Sequence, residues 1–97
     1  MAFVCLPVYA GLRDDTEHLS HPLLEGRGHA SRGSVEASLY ILRRMQQIGL
    51  NPRIQSFMTV RGVGRNIYAV SKGNPRSDKY TLICAHYDGV GTIEGNV

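Results

Sequence analysis

The residues whose types and spacing could do chemistry lie near the C-terminal end of the chain, in Tyr80-Thr-Leu-Ile-Cys-Ala-His-Tyr-Asp88. His86 and Asp88 are two positions apart, so on a β-strand their side chains would project from the same face. An imidazole is a good metal ligand, and a carboxylate beside it can hold the second ring nitrogen and fix its orientation. The spacing therefore predicts a metal ligand, His86, with Asp88 as its orienting partner.

The element that must position this pair is the apolar run from Leu82 to Ala85. A short, continuous apolar run bounded by turn residues is typical of a strand buried on both faces. His86 and Asp88 would then emerge at the carboxyl edge of a sheet, where open α/β folds bind their ligands. Cys84 lies inside the run and is interpreted as a small core residue.

Two other histidines, His18 and His21, have the spacing at which residues share one face of a helix. Pro22 disfavours helical structure at His21, and no further ligand cluster adjoins the pair. We interpret both as exposed polar residues. The cysteines Cys5 and Cys84 form no Cys-x-x-Cys motif, so neither a zinc ribbon nor a dithiol redox motif is supported.

The glycine pairs Gly62-Val-Gly64 and Gly89-Val-Gly91 do not have the spacing of a phosphate-binding loop. They are interpreted as turn glycines.

The composition is that of one small globular domain. The chain has 97 residues, of which 42% are hydrophobic and 20% charged, with a formal net charge of +3. Its basic residues are dispersed, which argues against a nucleic-acid interface. No apolar run reaches the roughly 18 residues of a membrane span. The apolar residues 1–11 are either a signal-peptide remnant or an ordinary N-terminal arm or strand.

Two helices are predicted. Leu12 to Leu19 forms a short helix with an acidic first turn, and residues 20–33 form a structured loop. A longer amphipathic helix runs from Ser34 to Ile48, with Gly33 as its N-cap and Gly49 as its left-handed C-cap. Its core-facing stripe is predicted to comprise Val35, Leu39, Leu42, Met45 and Ile48, flanked by Ser38 and Ile41, and its solvent face Glu36, Arg43, Arg44, Gln46 and Gln47.

Three strands are predicted, over residues 53–60, 66–71 and 80–86. The first two are expected to be antiparallel neighbours joined by a turn at Gly62-Val-Gly64. The predicted fold class is therefore α/β, with a mixed sheet of about three strands, one long helix and a short N-terminal helix.

Four separate stretches together resemble the zinc aminopeptidases of metallopeptidase family 28. They are His18-Leu-Ser-His-Pro-Leu-Leu-Glu-Gly-Arg27, the helix opened by Gly33 and closed at Ile48-Gly-Leu50, Gly64-Arg-Asn-Ile67, and Cys84-Ala-His-Tyr-Asp-Gly-Val-Gly91. They occur in the order and spacing of that family and cover about residues 12 to 91.

The resemblance implies a phosphorylase/hydrolase-like α/β fold, two zinc ions and the hydrolysis of N-terminal residues from peptides. It further implies that His86 is a ligand of one zinc and that Asp88 binds and orients that histidine. Residues 12–97 are accordingly interpreted as the N-terminal part of a catalytic domain. Members of this family are often secreted or periplasmic.

The remaining ligands of that family, a bridging aspartate, a pair of glutamates, a further acidic residue and a last histidine, have no counterpart here. After His86 only Asp88 and Glu94 could coordinate a metal, and Glu94 has no assignable family role. Because a catalytic zinc needs three protein ligands, we expect that this polypeptide alone does not retain zinc and is inactive.

Alternative interpretations remain open. The chain could belong to a related zinc amidohydrolase or carboxypeptidase, to a glutaminyl cyclase, or to a non-catalytic homologue that keeps the scaffold. It could also be a small α/β domain in which His86 is a core histidine. The residues encoded after Val97 would discriminate among these, since an aspartate block followed by paired glutamates indicates a peptidase.

Overall fold

The computed structural model describes residues 11–93, which form two α-helices, a 3₁₀ segment and a two-stranded sheet. The elements are α1 (Gly11–Leu19), the 3₁₀ segment (Pro22–Arg27), α2 (Arg32–Gln47), β1 (Arg53–Thr59) and β2 (Gly62–Tyr68). Nearly all of the predicted N-terminal arm, and Glu94, lie outside these residues. The described part of the chain therefore combines helices with a small sheet, in agreement with a mixed α/β class.

Helix α1 is the short acidic helix predicted from the sequence, and a polar cluster attaches it to α2. The Asp15 carboxylate accepts hydrogen bonds from the Tyr40 hydroxyl at 2.5 Å and from Arg44 Nε at 2.7 Å. The His18 ring stacks on the Tyr40 ring with centroids 3.8 Å apart. Arg44, predicted to face solvent, is instead largely shielded, with 16% of its side chain exposed. We call Asp15, His18, Tyr40 and Arg44 the α1–α2 cluster.

Helix α2 begins two residues earlier than predicted, and its N-cap is Ser31 rather than Gly33. The Ser31 hydroxyl accepts a hydrogen bond from the Ser34 amide at 3.1 Å, which a glycine has no side chain to do. The predicted C-terminal cap is confirmed. Gly49 has a φ of +91°, and the amides of Gly49 and Leu50 donate to the carbonyls of Gln46 and Met45.

The buried face of α2 differs from the predicted apolar stripe. Ala37 is fully buried and Ser38 is 1% exposed, whereas Ile48 is 54% exposed. The other members of the stripe, Val35, Leu39, Leu42 and Met45, are only half-buried. The cause is the close approach of the 3₁₀ segment, whose Leu24 carbonyl lies where a side chain at Gly33 would be. Small residues allow this contact and large ones do not.

The sheet is an antiparallel hairpin, as predicted, with Arg53 opposite Tyr68 and Thr59 opposite Gly62. The predicted turn at Gly62-Val-Gly64 is wrong, because the chain reverses at residues 60–61 and β2 starts at Gly62. Gly64 is needed for packing instead, since a Cβ there would overlap with the Phe57 ring. Strand β2 also ends at Tyr68 rather than at Ser71.

The third strand predicted over residues 80–86 is not formed. This segment has no regular secondary structure, and Leu82 and Ile83 are 84% and 92% exposed. Cys84, interpreted as a core residue, is exposed as well. A buried strand needs partner strands and a covering layer, and the described residues offer this segment neither. Among the described residues, no helix has the length and apolar character needed to cross a bilayer.

The α1–α2 cluster should hold α1 in place over a wide pH range and release it only in strong acid and in strong alkali. The hydrogen bond from Arg44 lowers the pKa of Asp15, and burial, followed by the bond to Asp15, raises the pKa of Tyr40 to about 12. The stabilisation that ionised Asp15 gives to the α1–α2 contact is thus fully present above the ordinary carboxyl pKa of about 3.9. It is lost as the pH falls through the depressed pKa of Asp15. The stabilisation from the protonated Tyr40 hydroxyl is fully present below about pH 10. It is lost as the pH rises through the raised pKa of Tyr40.

This pH dependence can be measured from the NMR chemical shifts of residues 11–19, which should report helix loss at both extremes. In the variant Asp15→Asn, the chemical shifts of α1 should show no helix loss at low pH, because the carboxylate that titrates there is removed. Helical shifts that stay unchanged from pH 2 to 12 in the unmodified chain would contradict the assigned role of the cluster.

Candidate functional site

The structure brings His86 and Asp88 together at an exposed position. His86 Nδ1 lies 3.2 Å from Asp88 Oδ1 and 3.2 Å from the Asp88 backbone oxygen. The side chain of His86 is 88% exposed, and that of Asp88 is 50% exposed. Because both neighbours of Nδ1 are acceptors, the neutral ring carries its proton there, which leaves the lone pair of Nε2 free.

The pair forms by a local contact between residues two apart, and not by the shared face of a strand. The segment is held at two places, at Tyr87 between His86 and Asp88 and at Gly89 and Gly91 after them. The Tyr87 hydroxyl donates a hydrogen bond of 2.7 Å to the Arg65 carbonyl in β2. Burial raises the pKa of Tyr87, so the phenol stays protonated and remains a donor. Tyr87 was not identified as a site residue from the sequence, and its only signal was its place between two candidate residues.

The second attachment joins Gly89 and Gly91 to the end of the 3₁₀ segment. The Gly89 amide donates to the Arg27 carbonyl at 2.9 Å, and the Gly91 amide donates to the Gly26 carbonyl at 3.2 Å. Gly28 and Gly89 form a parallel bridge. These glycines, interpreted from the sequence as turn residues, therefore serve a close approach of two backbones.

An open cavity of about 910 Å³ separates residues 82–88 from α2 and the hairpin. His86 and Asp88 lie at its border, and much of its lining is apolar: Leu19, Ile41, Met45, Phe57, Ile67 and Leu82. Among the described residues this space is an open gap between the segment and the rest of the fold, and not an enclosed pocket.

The other histidines have structural contacts of their own. His21 Nδ1 accepts a hydrogen bond from the Leu23 amide at 3.1 Å and so caps the 3₁₀ segment. His18 stacks on Tyr40, and His29 Nε2 lies 2.7 Å from Thr59 Oγ1. His18 and His21 are both exposed, as the sequence analysis predicted.

The described residues fit zinc only in part. They supply one imidazole with a free nitrogen and the carboxylate that orients it, which is the pattern of a ligating histidine and its supporting acceptor. Within residues 11–93, however, no three His, Cys, Asp or Glu side chains come together as a metal site would require. A catalytic zinc has three protein ligands and an open position.

Comparison of the chain with protein-family models, with curated proteins and with solved structures found no match.

The four stretches 18–27, 33–50, 64–67 and 84–91 are linked to one another by contacts. Gly33, at the start of α2, packs on the Leu24 carbonyl. Gly26 and Arg27 bind the backbone of Gly89 and Gly91, and Tyr87 binds Arg65. Stretches that are distant in the sequence thus contact the residues next to His86 and Asp88, while the His86 ring itself stays exposed.

Proposed function

We propose that the chain supplies part of the active centre of a two-zinc aminopeptidase that hydrolyses N-terminal residues from peptides. His86 is a ligand of one zinc through Nε2, and Asp88 fixes the tautomer and direction of its ring. The observation that carries this proposal is the contact of His86 Nδ1 with the Asp88 carboxylate, with the ring itself exposed.

The chemistry of the donor pair agrees with this role. A neutral imidazole binds zinc well, and a carboxylate on its second nitrogen raises its basicity. When bound, a zinc pair polarises the scissile carbonyl and generates hydroxide near neutral pH. Residues 11–93 contribute ligation and orientation to that centre, and the ligands that complete it come from outside these residues.

The same proposal gives residues 80–86 a place in a larger sheet of the phosphorylase/hydrolase-like type. This segment forms a strand once partner strands pair with its backbone and a covering layer buries its exposed apolar side chains. Two observations support this placement. Tyr87 already binds the backbone of β2, and the cavity between this segment and the hairpin is bordered by apolar side chains.

The isolated chain is expected to have no peptidase activity, because its described residues lack a complete ligand set. The measurement is the turnover of aminoacyl-anilides by the purified 97-residue protein with added zinc. The expected rate equals that of buffer with zinc. Turnover that disappears in the variant His86→Ala would show that the chain forms a complete centre and would contradict this part of the proposal.

A second candidate is a non-catalytic homologue that keeps the scaffold for interaction. It is favoured by the absence of a three-ligand cluster from the described residues. The two candidates differ in what they require of His86, because a scaffold has no need of a free Nε2 or of selective zinc binding there. Zinc binding at His86 therefore discriminates between them.

A further inference from the structure

The peptide unit between Asp88 and Gly89 is hydrogen-bonded at both of its ends. Its N–H, from Gly89, donates to the Arg27 carbonyl at 2.9 Å. Its C=O, from Asp88, lies 3.2 Å from His86 Nδ1. A trans peptide unit is planar and its N–H and C=O point in opposite directions, so fixing one fixes the other. The Arg27 carbonyl therefore sets the direction of an acceptor for the His86 ring.

The contact that provides this hydrogen bond depends on glycine. A side chain at Gly89 would overlap with the Gly26 carbonyl, and one at Gly26 would overlap with the Gly91 carbonyl. A Cβ at Gly28 would lie 3.1 Å from the Gly91 Cα. Two backbones approach this closely only where neither has a side chain. We call residues 25–28 the positioning loop.

The positioning loop has a conformation that non-glycine residues seldom adopt. Glu25 and Arg27 have φ values of +53° and +52°, and Gly26 has +69°. Such a conformation persists only where surrounding contacts impose it, and it is concentrated at functional sites. Two contacts hold the loop here. Arg32 pairs with Glu25 at 3.0 Å, and the Arg27 guanidinium donates to the Leu19 carbonyl.

We propose that the positioning loop orients the candidate zinc ligand, by fixing through the Asp88–Gly89 peptide unit the direction and tautomer of the His86 ring. The loop supplies no proposed metal ligand and acts through the backbone of Gly89 and Gly91, so its residues are positioning residues. Its value for zinc binding rests on the proposed function. The hydrogen-bond relay from the Arg27 carbonyl to His86 is independent of the proposed function, because it exists without metal.

The alternative is that the Asp88 carboxylate holds the ring without help from the loop. The two accounts predict different behaviour for Gly89→Ala. This substitution forces the loop and residues 88–91 apart while it leaves the Asp88 side chain intact. Gly73→Ala is the matched control, because no atom lies within 4 Å of a Cβ at that position.

The test is the tautomer of His86 in the full chain, read from imidazole ¹⁵N shifts above the ordinary imidazole pKa of about 6.5. In the unmodified chain His86 is expected as the Nδ1–H form. His21 is an internal reference of the other kind, since its Nδ1 accepts a hydrogen bond and its proton must be on Nε2. In Gly89→Ala, His86 should shift towards the Nε2–H form that free imidazole side chains favour, whereas Gly73→Ala should leave it unchanged. An unchanged Nδ1–H signal in Gly89→Ala would overturn the proposal.

Exchange of the Gly89 amide proton tests the relay without any substitution. It should exchange about tenfold or more slowly than in an unstructured peptide of the same sequence, because it is bonded to Arg27. Exchange at the unstructured rate would overturn the proposal even if Gly89→Ala did not fold. A tautomer change in Gly89→Ala, with no selective response of His86 in the unmodified chain to excess zinc, would support the loop's role and count against the aminopeptidase. Zinc binding at His86 with no tautomer change in Gly89→Ala would support the aminopeptidase and refute the loop's role.

Discussion

Replacing Gly33 with alanine should lower the free energy of unfolding by about 3 kcal/mol, the upper range for forcing extra atoms into a packed contact. A Cβ at this position would overlap with the Leu24 carbonyl, which is backbone and cannot rotate away. The first turn of α2 and the 3₁₀ segment would have to separate, which would expose the buried Leu24 and Ala37. The effect is large because this contact is the centre of the small core.

The direction of the change makes the experiment decisive. Helix propensity alone predicts that Gly33→Ala stabilises the protein by about 1 kcal/mol. Denaturant unfolding followed by circular dichroism distinguishes the two signs. Gly73→Ala, which meets no neighbouring atom, should change stability by about 0.5 kcal/mol or less. A Gly33 variant more stable than the unmodified chain would contradict the described packing of α2.

Local sequence signals predicted the elements whose stability is local. The short acidic helix α1 was predicted from residues 12–19, and the end of α2 from Gly49 followed by Pro52. Strand β1 and its antiparallel pairing with the next strand were predicted from their composition, although the turn between them lies at residues 60–61 and not at Gly62-Val-Gly64. Each of these features depends on residues within a few positions of one another.

The features that depend on distant partners could not be predicted in this way. The buried face of α2 is set by the approach of Leu24, so small residues replaced the expected apolar stripe. Whether residues 80–86 form a strand depends on strands that lie beside them, and not on their own apolar character. In α2 and in residues 80–86, contacts with distant parts of the chain, or the lack of them, outweighed what the local apolar pattern favours.

At the candidate site, too, the local contacts could be predicted and the contacts between distant residues could not. The predicted contact of His86 with Asp88 is present, but it forms locally between residues two apart and not on the strand from which it was predicted. The contact of Gly26 with Gly91 joins residues far apart in the chain, and glycine pairs signal turns more readily than close backbone approach. Tyr87 was missed because the acceptor of its hydroxyl, the Arg65 carbonyl, belongs to a different element.

The second large effect is expected at His86 itself. Without the remaining ligands the chain should not retain zinc, but zinc in excess should associate with it weakly, reversibly and selectively at this residue, and His86→Ala should abolish that response. Selectivity follows from the contacts of the four histidines, since among them His86 combines an exposed ring with a hydrogen bond to a carboxylate. Asp88→Asn is the matched variant. It keeps the shape of the side chain, removes its charge and should weaken zinc binding about 10- to 100-fold.

The most direct test of the central claim is a zinc titration of the unmodified chain followed by the imidazole ¹⁵N resonances of all four histidines. The account predicts that the Nε2 resonance of His86 shifts first and furthest, while its Nδ1 keeps the proton that it donates to Asp88. A titration in which His18, His21 and His29 respond as strongly as His86, or in which zinc displaces the proton from His86 Nδ1, would contradict it.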